Sequence, residues 1–191
     1  MISIKVLKKL VSDYYMQLKS LEGCRLIIGS YPPFSYNAYG GGGKGKLIPS
    51  KKNNILSLCF SSQTFSIPAL TSKTTKFLSL PLPPGLKVEM SMDQLEGTVN
   101  QNSGEILFTF EAKFLFSIGS KINFPNLLVK TSLTTGEVTG KLQTCKGMVL
   151  QKNGTTKLVG ISKIPLTGNN ILDSFLGLPN EALAELQCEI K

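Results

Sequence analysis

The chain contains no histidine, no tryptophan and a single arginine, Arg25, in 191 residues. Without histidine, Ser-His-Asp and Cys-His nucleophile pairs, two-His-carboxylate iron sites and His-ligated zinc are all excluded. No serine is followed three residues later by lysine, so the local Ser-Lys signature is missing as well. The four cysteines, Cys24, Cys59, Cys145 and Cys188, stand far apart and form no C-x-x-C pair, which signals neither a zinc site nor a redox motif. Four buried thiols in a reducing compartment are expected. One arginine also disfavours sequence-specific nucleic-acid recognition, because bidentate guanine contacts are typically made by arginine. No run approaches the roughly 18 apolar residues of a membrane-spanning helix, and Met1 to Leu21 lacks the unbroken apolar core and cleavage site of a secretory signal. These absences predict no catalytic residue, no metal and no cofactor.

What is present is an uneven charge. The formal net charge is +9, and residues 1–84, with eleven cations against Asp13 and Glu22, carry all of it; residues 85–191 hold ten of each sign. Such asymmetry points to an electropositive face for an anionic membrane surface or an acidic protein. The stripe Ile4, Leu7, Val11, Tyr14, Tyr15 and Leu18 has the spacing of an amphipathic helix over residues 1–22. Lys5, Lys8 and Lys9 on that helix, with Lys44, Lys46, Lys51 and Lys52 further on, are the candidate contacts to an anionic surface.

The rest of the chain reads as strands. Ile106, Phe108, Phe110, Ala112, Phe114, Phe116 and Ile118 fill every second position, which predicts one long strand with a wholly apolar face. Asn102-Ser103-Gly104 joins it to a strand around residues 95–100. Further strands are expected at 25–30, 55–60, 77–80, 127–133, 138–150 and 157–164. Residues 171–176 and 180–186 read as short helical turns around Pro179, with 186–190 a last strand. A single domain spanning 1–191 follows, with a β-rich body over 23–191. The fold class is mainly β: an antiparallel barrel or strongly bent sheet, with an N-terminal amphipathic helix and short C-terminal helices.

Gly40 to Lys46 fits G-x-x-x-x-G-K, but Leu47 stands where the magnesium-binding hydroxyl belongs and Pro49 blocks the following helix. A flexible basic loop is the expected reading. Tyr31, Phe34, Tyr36 and Tyr39 ahead of Lys44 and Lys46 have the interleaving used to stack single-stranded bases, against the alternative of an aromatic cluster over one end of the sheet. Glu89, Asp93 and Glu96, spaced along a strand-turn-strand, read as solvated carboxylates and not as an acid/base pair.

Tyr31 to Gly43 (YPPFSYNAYGGGG), Leu80 to Leu86 (LPLPPGL), Ser174 to Leu183 (SFLGLPNEAL) and the segment Phe110 to Gly140 resemble an uncharacterised protein family of cyanobacteria and plastids. The resemblance implies a photosynthetic setting and, with no transit peptide ahead of the domain, the plastid stroma or thylakoid surface, or the cyanobacterial cytoplasm. It supplies no activity. Three readings stay open: a non-catalytic accessory protein holding a small apolar ligand, lipid or pigment, in a β-barrel; an assembly or scaffold factor for a photosynthetic membrane complex; and an enzyme without histidine chemistry.

Overall fold

In the computed structural model, which describes residues 15–48 and 54–191, nearly every element is a strand. In chain order these are β1 (Tyr15–Ser20), β2 (Cys24–Ile28), β3 (Phe34–Tyr36), β4 (Gly42–Ile48), β5 (Ile55–Phe60), β6 (Thr75–Phe77) and β7 (Leu80–Pro81). The long pair β8 (Leu86–Asn100) and β9 (Ile106–Ile118) follows, then β10 (Ile122–Asn123), β11 (Leu127–Thr134), β12 (Glu137–Thr139), β13 (Thr144–Lys146) and β14 (Thr155–Ile164). A single helix among the described residues, α1 (Asn170–Leu176), precedes the last strand, β15 (Asn180–Ile190).

All pairings are antiparallel, and eight strands in the order β1-β4-β5-β8-β9-β11-β14-β15 close into a ring through Leu18 opposite Ile190 and Ser20 opposite Cys188. The ring has two tiers because β15 and β8 each change partner along their length. The end of β15 pairs with β1, while Ala182–Glu185 pair with β2, whose sheet continues through β3 and β6 to β7. Likewise the second half of β8, from Leu95, pairs with β5, while in its first half Val88 bridges Leu70. In the lower tier Leu58, Val99, Ile106, Phe108, Leu158 and Ile190, each at most 2% exposed, fill the ring. Phe60 meets Phe108 edge-to-face, with centroids 5.8 Å apart. The upper tier holds a second cluster of buried apolar residues, among them Tyr36, Val88, Phe116 and Leu172, arranged around a cavity.

The predicted strand from Ile106 to Ile118 is present to the residue, with Phe108 and Phe116 buried and Phe110 and Phe114 half-buried on its inner face. The expected strands at 55–60, 127–133 and 157–164 are also found, and the strand near 95–100 extends back to Leu86.

Five expectations are corrected. Residues 77–80 are not one strand: β6 ends at Phe77, and a turn at Leu78 and Ser79 leads back into β7 at Leu80. The N-terminal helix is not supported: residues 1–14, with Lys5, Lys8 and Lys9, lie outside the described residues, and its remainder is strand β1. Leu18 belongs to the helical stripe but also alternates with Met16, two residues back, and two partner strands, β4 and β15, decide between the periods. Residues 180–186 are not a helical turn but belong to β15. Their helix-favouring Glu, Ala and Leu yield to an unbroken ten-residue ladder with β14, in which Ala182, Ala184 and Leu186 face inward. The glycine run is no flexible loop, since Gly42–Ile48 is strand β4 between β1 and β5. Glycine is required there: a Cβ at Gly45 would come within 2.7 Å of the Phe60 ring, and one at Gly42, where φ is +117°, within 2.0 Å of the Leu18 carbonyl. Finally, residues 138–150 are not one strand but contain the short hairpin β12–β13.

That hairpin lies against the outside of the ring and is fixed by a carboxylate. Burial pushes the Glu181 carboxyl upward, but the backbone N–H groups of Lys141, Leu142 and Gln143 donate to it at 2.7 to 2.9 Å and hold it below the usual range. Glu185, four residues further on the same face of β15, accepts from Arg25 at 3.1 Å and Lys157 at 3.4 Å.

Candidate functional site

The upper tier encloses a cavity of about 880 Å³. Its walls come from the inner faces of β2, β3, β8, β9, β11, β14 and β15, and its floor from the packed lower tier, including Leu18, Leu95 and Leu133. Not one Asp, Glu, Lys or Arg lines it. Three lining hydroxyls are already committed to the protein itself. Tyr36 donates to the Pro68 carbonyl, Thr131 to the Ile161 carbonyl at 2.8 Å and Ser162 to the Lys130 carbonyl at 2.8 Å. Burial raises the Tyr36 phenol, with the Cys24 thiol adding to the rise, so it stays protonated. Among the described residues no buried side-chain polar atom lacks a partner. The interior can therefore hold apolar matter by contact, while offering no charge to an ionic group.

The Thr131 and Ser162 bonds also mark a seam. Strands β11 and β14 share one paired position, Thr134 opposite Val159, and beyond it these hydroxyls reach across to the neighbouring strand's carbonyls in place of a backbone ladder.

The open end is capped by three features. The Leu78-Ser79 turn, with φ of +50° and +67°, folds β6 back on β7 and presents Leu78 and Leu80. Helix α1 begins at Asn169, whose side chain accepts from the Leu172 N–H, and ends at Gly177 in the left-handed region. It buries Leu172 and Leu176 and leaves Ile171 and Phe175 outside. The Tyr31 hydroxyl donates to the Phe175 carbonyl at 3.1 Å, tying the loop after β2 to this helix. Asp173 is turned inward and accepts from Thr167 and Gly168; the Thr167 hydroxyl, at 2.5 Å, is the main cause of its lowered pKa.

The lysines and carboxylates singled out from sequence are not brought together. Lys44 and Lys46 sit exposed on the outer face of β4, in the lower tier; Lys51 and Lys52 lie outside the described residues, as do Lys5, Lys8 and Lys9. Three of the four aromatics, Tyr31, Phe34 and Tyr36, line the cavity, with Phe34 stacked on Phe77 at 4.6 Å and Tyr36 buried, while Tyr39 stands apart, 71% exposed. Glu89, Asp93 and Glu96 all belong to β8, with no turn between them, and bond to Lys87, Lys113 and Gln94 respectively. Asp93 occupies the bulge between Met92 and Gln94. All four cysteines are free thiols, but only Cys24 and Cys188 are buried, Cys59 and Cys145 being half-buried. Burial raises every one of them, Cys188 to about 12, which makes them poor nucleophiles.

No protein-family model, curated protein or solved structure matches the chain. The cavity, not a relative, carries the functional argument.

Proposed function

We propose that the protein is a non-catalytic accessory protein that binds one small apolar ligand, a lipid or a pigment, inside the strand ring, which acts as a half-open β-barrel. One observation carries this reading: an 880 Å³ cavity, within the size range of ligand sites, without a charged residue in its lining. Because the Tyr36, Thr131 and Ser162 hydroxyls serve the protein's own carbonyls and no charge lines the interior, the ligand is held by its hydrocarbon, and any polar head remains at the mouth. About ten buried methylenes at about 0.8 kcal/mol each set the affinity scale at micromolar. The poorly nucleophilic thiols and the absence of histidine favour a carrier over an enzyme.

The test is titration with the neutral fluorescent probe N-phenyl-1-naphthylamine, followed by displacement with a long-chain alcohol, a monoacylglycerol and a carotenoid. Saturable, micromolar binding is expected, together with its loss by tenfold or more in Ala182→Phe, which fills the cavity from β15. A protein that binds no probe while folded, or a variant that binds as well as the parent, would rule out the interior as the site.

A further inference from the structure

The mouth of the cavity is also the most apolar part of the described surface. Six residues that line the cavity, Tyr31, Leu78, Leu80, Ile118, Ile171 and Phe175, are each 41% to 71% exposed, and Ile122 and Leu166 flank them at 51% and 59%. These eight are half of the sixteen exposed large hydrophobic residues, and all lie at one end of the ring. The connections that build this end come from residues 26–36, 77–86, 114–128 and 164–180. Those four segments contain just two charged residues, Lys121 and Asp173. Asp173 is 8% exposed and its carboxylate is taken up by Thr167 and Gly168. The end of the molecule thus offers the solvent a collar of aliphatic and aromatic side chains, edged by Lys76, Lys121 and Lys163 and by the Lys87–Glu89 pair.

We infer that this collar is a bilayer-docking surface, which seats the mouth in the interfacial zone of a membrane and lets an apolar ligand pass between lipid and cavity without crossing water. The inference rests on the ligand-binding reading above. Three observations select a bilayer over another protein chain. The exposed side chains stand on separate projections, the β6–β7 turn, the end of β9 with β10, and α1, which suits a fluid phase more than one complementary face. The collar surrounds an opening, so covering it with a second folded chain would seal the cavity. The lysines at this end that stand outside the ion pairs of the described residues, Lys76, Lys121 and Lys163, have the sign that meets lipid phosphate, and Tyr31 is the residue type that favours the headgroup level. This surface is distinct from Lys44 and Lys46, which sit on the outer wall of the lower tier.

The absence of tryptophan supplies a clean reporter. Phe175→Trp, mixed with phosphatidylcholine vesicles in 1 M salt, is expected to show a blue-shifted emission that is quenched by lipids carrying a quencher near the headgroup. Leu107→Trp, exposed at the closed end of β9, should show neither effect. In co-sedimentation the parent chain should partition onto these vesicles at low and high salt, and Leu80→Asp with Phe175→Asp should lower the partition coefficient at least tenfold, with Leu107→Asp as folded control. Binding that vanishes at high salt, where screening shortens the Debye length to about 3 Å, overturns the inference in favour of the lysine surface. A parent chain that stays in the supernatant, or a dimer by light scattering that the Asp pair abolishes without any vesicle binding, overturns it as well. Probe binding without vesicle binding defeats the docking surface alone; vesicle binding through the collar without probe binding defeats the cavity reading alone.

Discussion

Phe108 and Phe114 lie six residues apart on the same face of β9, yet they belong to different tiers, and truncating each to alanine should separate a packed core from a hollow one. Phe108 is 0% exposed and surrounded by the lower-tier residues, with the Phe60 ring against it. Phe108→Ala removes the transfer energy of the ring and leaves a void in a close-packed region, at a cost of about 3–5 kcal/mol. Phe114 is half-buried and borders the cavity, so part of its surface has no protein neighbour to lose. Taking about half of the roughly 150–200 Å² that a phenylalanine buries, at about 25 cal/mol/Å², its truncation costs about 2 kcal/mol, with little added void term. For a chain of this length the difference corresponds to melting temperatures roughly 4–8 °C apart. Guanidinium denaturation of both variants, followed by circular dichroism and analysed for midpoint and slope, measures it. Equal losses of 3 kcal/mol or more would mean that the upper tier is as solid as the lower one in solution, and the cavity argument would fail with it.

Two further outcomes follow from the outer wall and the seam. The Glu181 carboxyl is held below its unfolded value, so its contribution to stability is complete above an unfolded pKa of about 4.3 and disappears as pH falls through the lower folded value. Glu181→Gln should therefore lower the melting temperature at pH 7 and flatten its fall between about pH 5 and 3; an unchanged acid slope would show that the β12–β13 hairpin is not anchored by this charge. Ser162→Ala leaves the Lys130 carbonyl unpaired at the β11–β14 seam and should cost about 1–3 kcal/mol, with faster amide exchange confined to β11 and β14. A loss under about 0.5 kcal/mol, or exchange spread over the whole ring, would mean that the seam is held by other contacts.

The parts of the fold that were legible in the sequence are those where one strand's own alternation is enough. From Ile106 to Ile118 no apolar position is missed, and the element appears at those limits. Where the signal is shared between two periods, partners decide. Leu18 fits both a helical stripe and an alternating one, and β1 is a strand because β4 lies on one edge and β15 on the other. The residues of β15 carry Glu, Ala and Leu, whose intrinsic preference is helical, but ten consecutive pairings with β14 outweigh the few tenths of a kcal/mol per residue at stake. Local reasoning has no access to such partners. The glycine run misled for a related reason: Gly43 and Gly45 are bare because the Phe65 and Phe60 rings, fifteen or more residues away in sequence, occupy the space of their side chains.

The site was illegible for a different reason: the lysines are the conspicuous feature of the sequence, and the informative one is the lack of charge. Across 26–36, 77–86, 114–128 and 164–180 the sequence places two charged residues, whereas lysine and carboxylates recur along the remaining strands. Taken singly, each segment is an ordinary apolar stretch. Only the antiparallel pairings, Leu86 opposite Ile118, Leu80 opposite Phe77 and Ile164 opposite Asn180, bring their ends to the same end of the ring. A soluble surface rarely gathers that much apolar area without a partner, and here the gathering surrounds the opening of a cavity that shares its chemistry. An isolated exposed leucine carries no message. Eight exposed apolar residues at the opening of a charge-free interior are what a protein exchanging an apolar ligand with a lipid phase requires, because every charge at that opening would have to be desolvated each time the ligand passed.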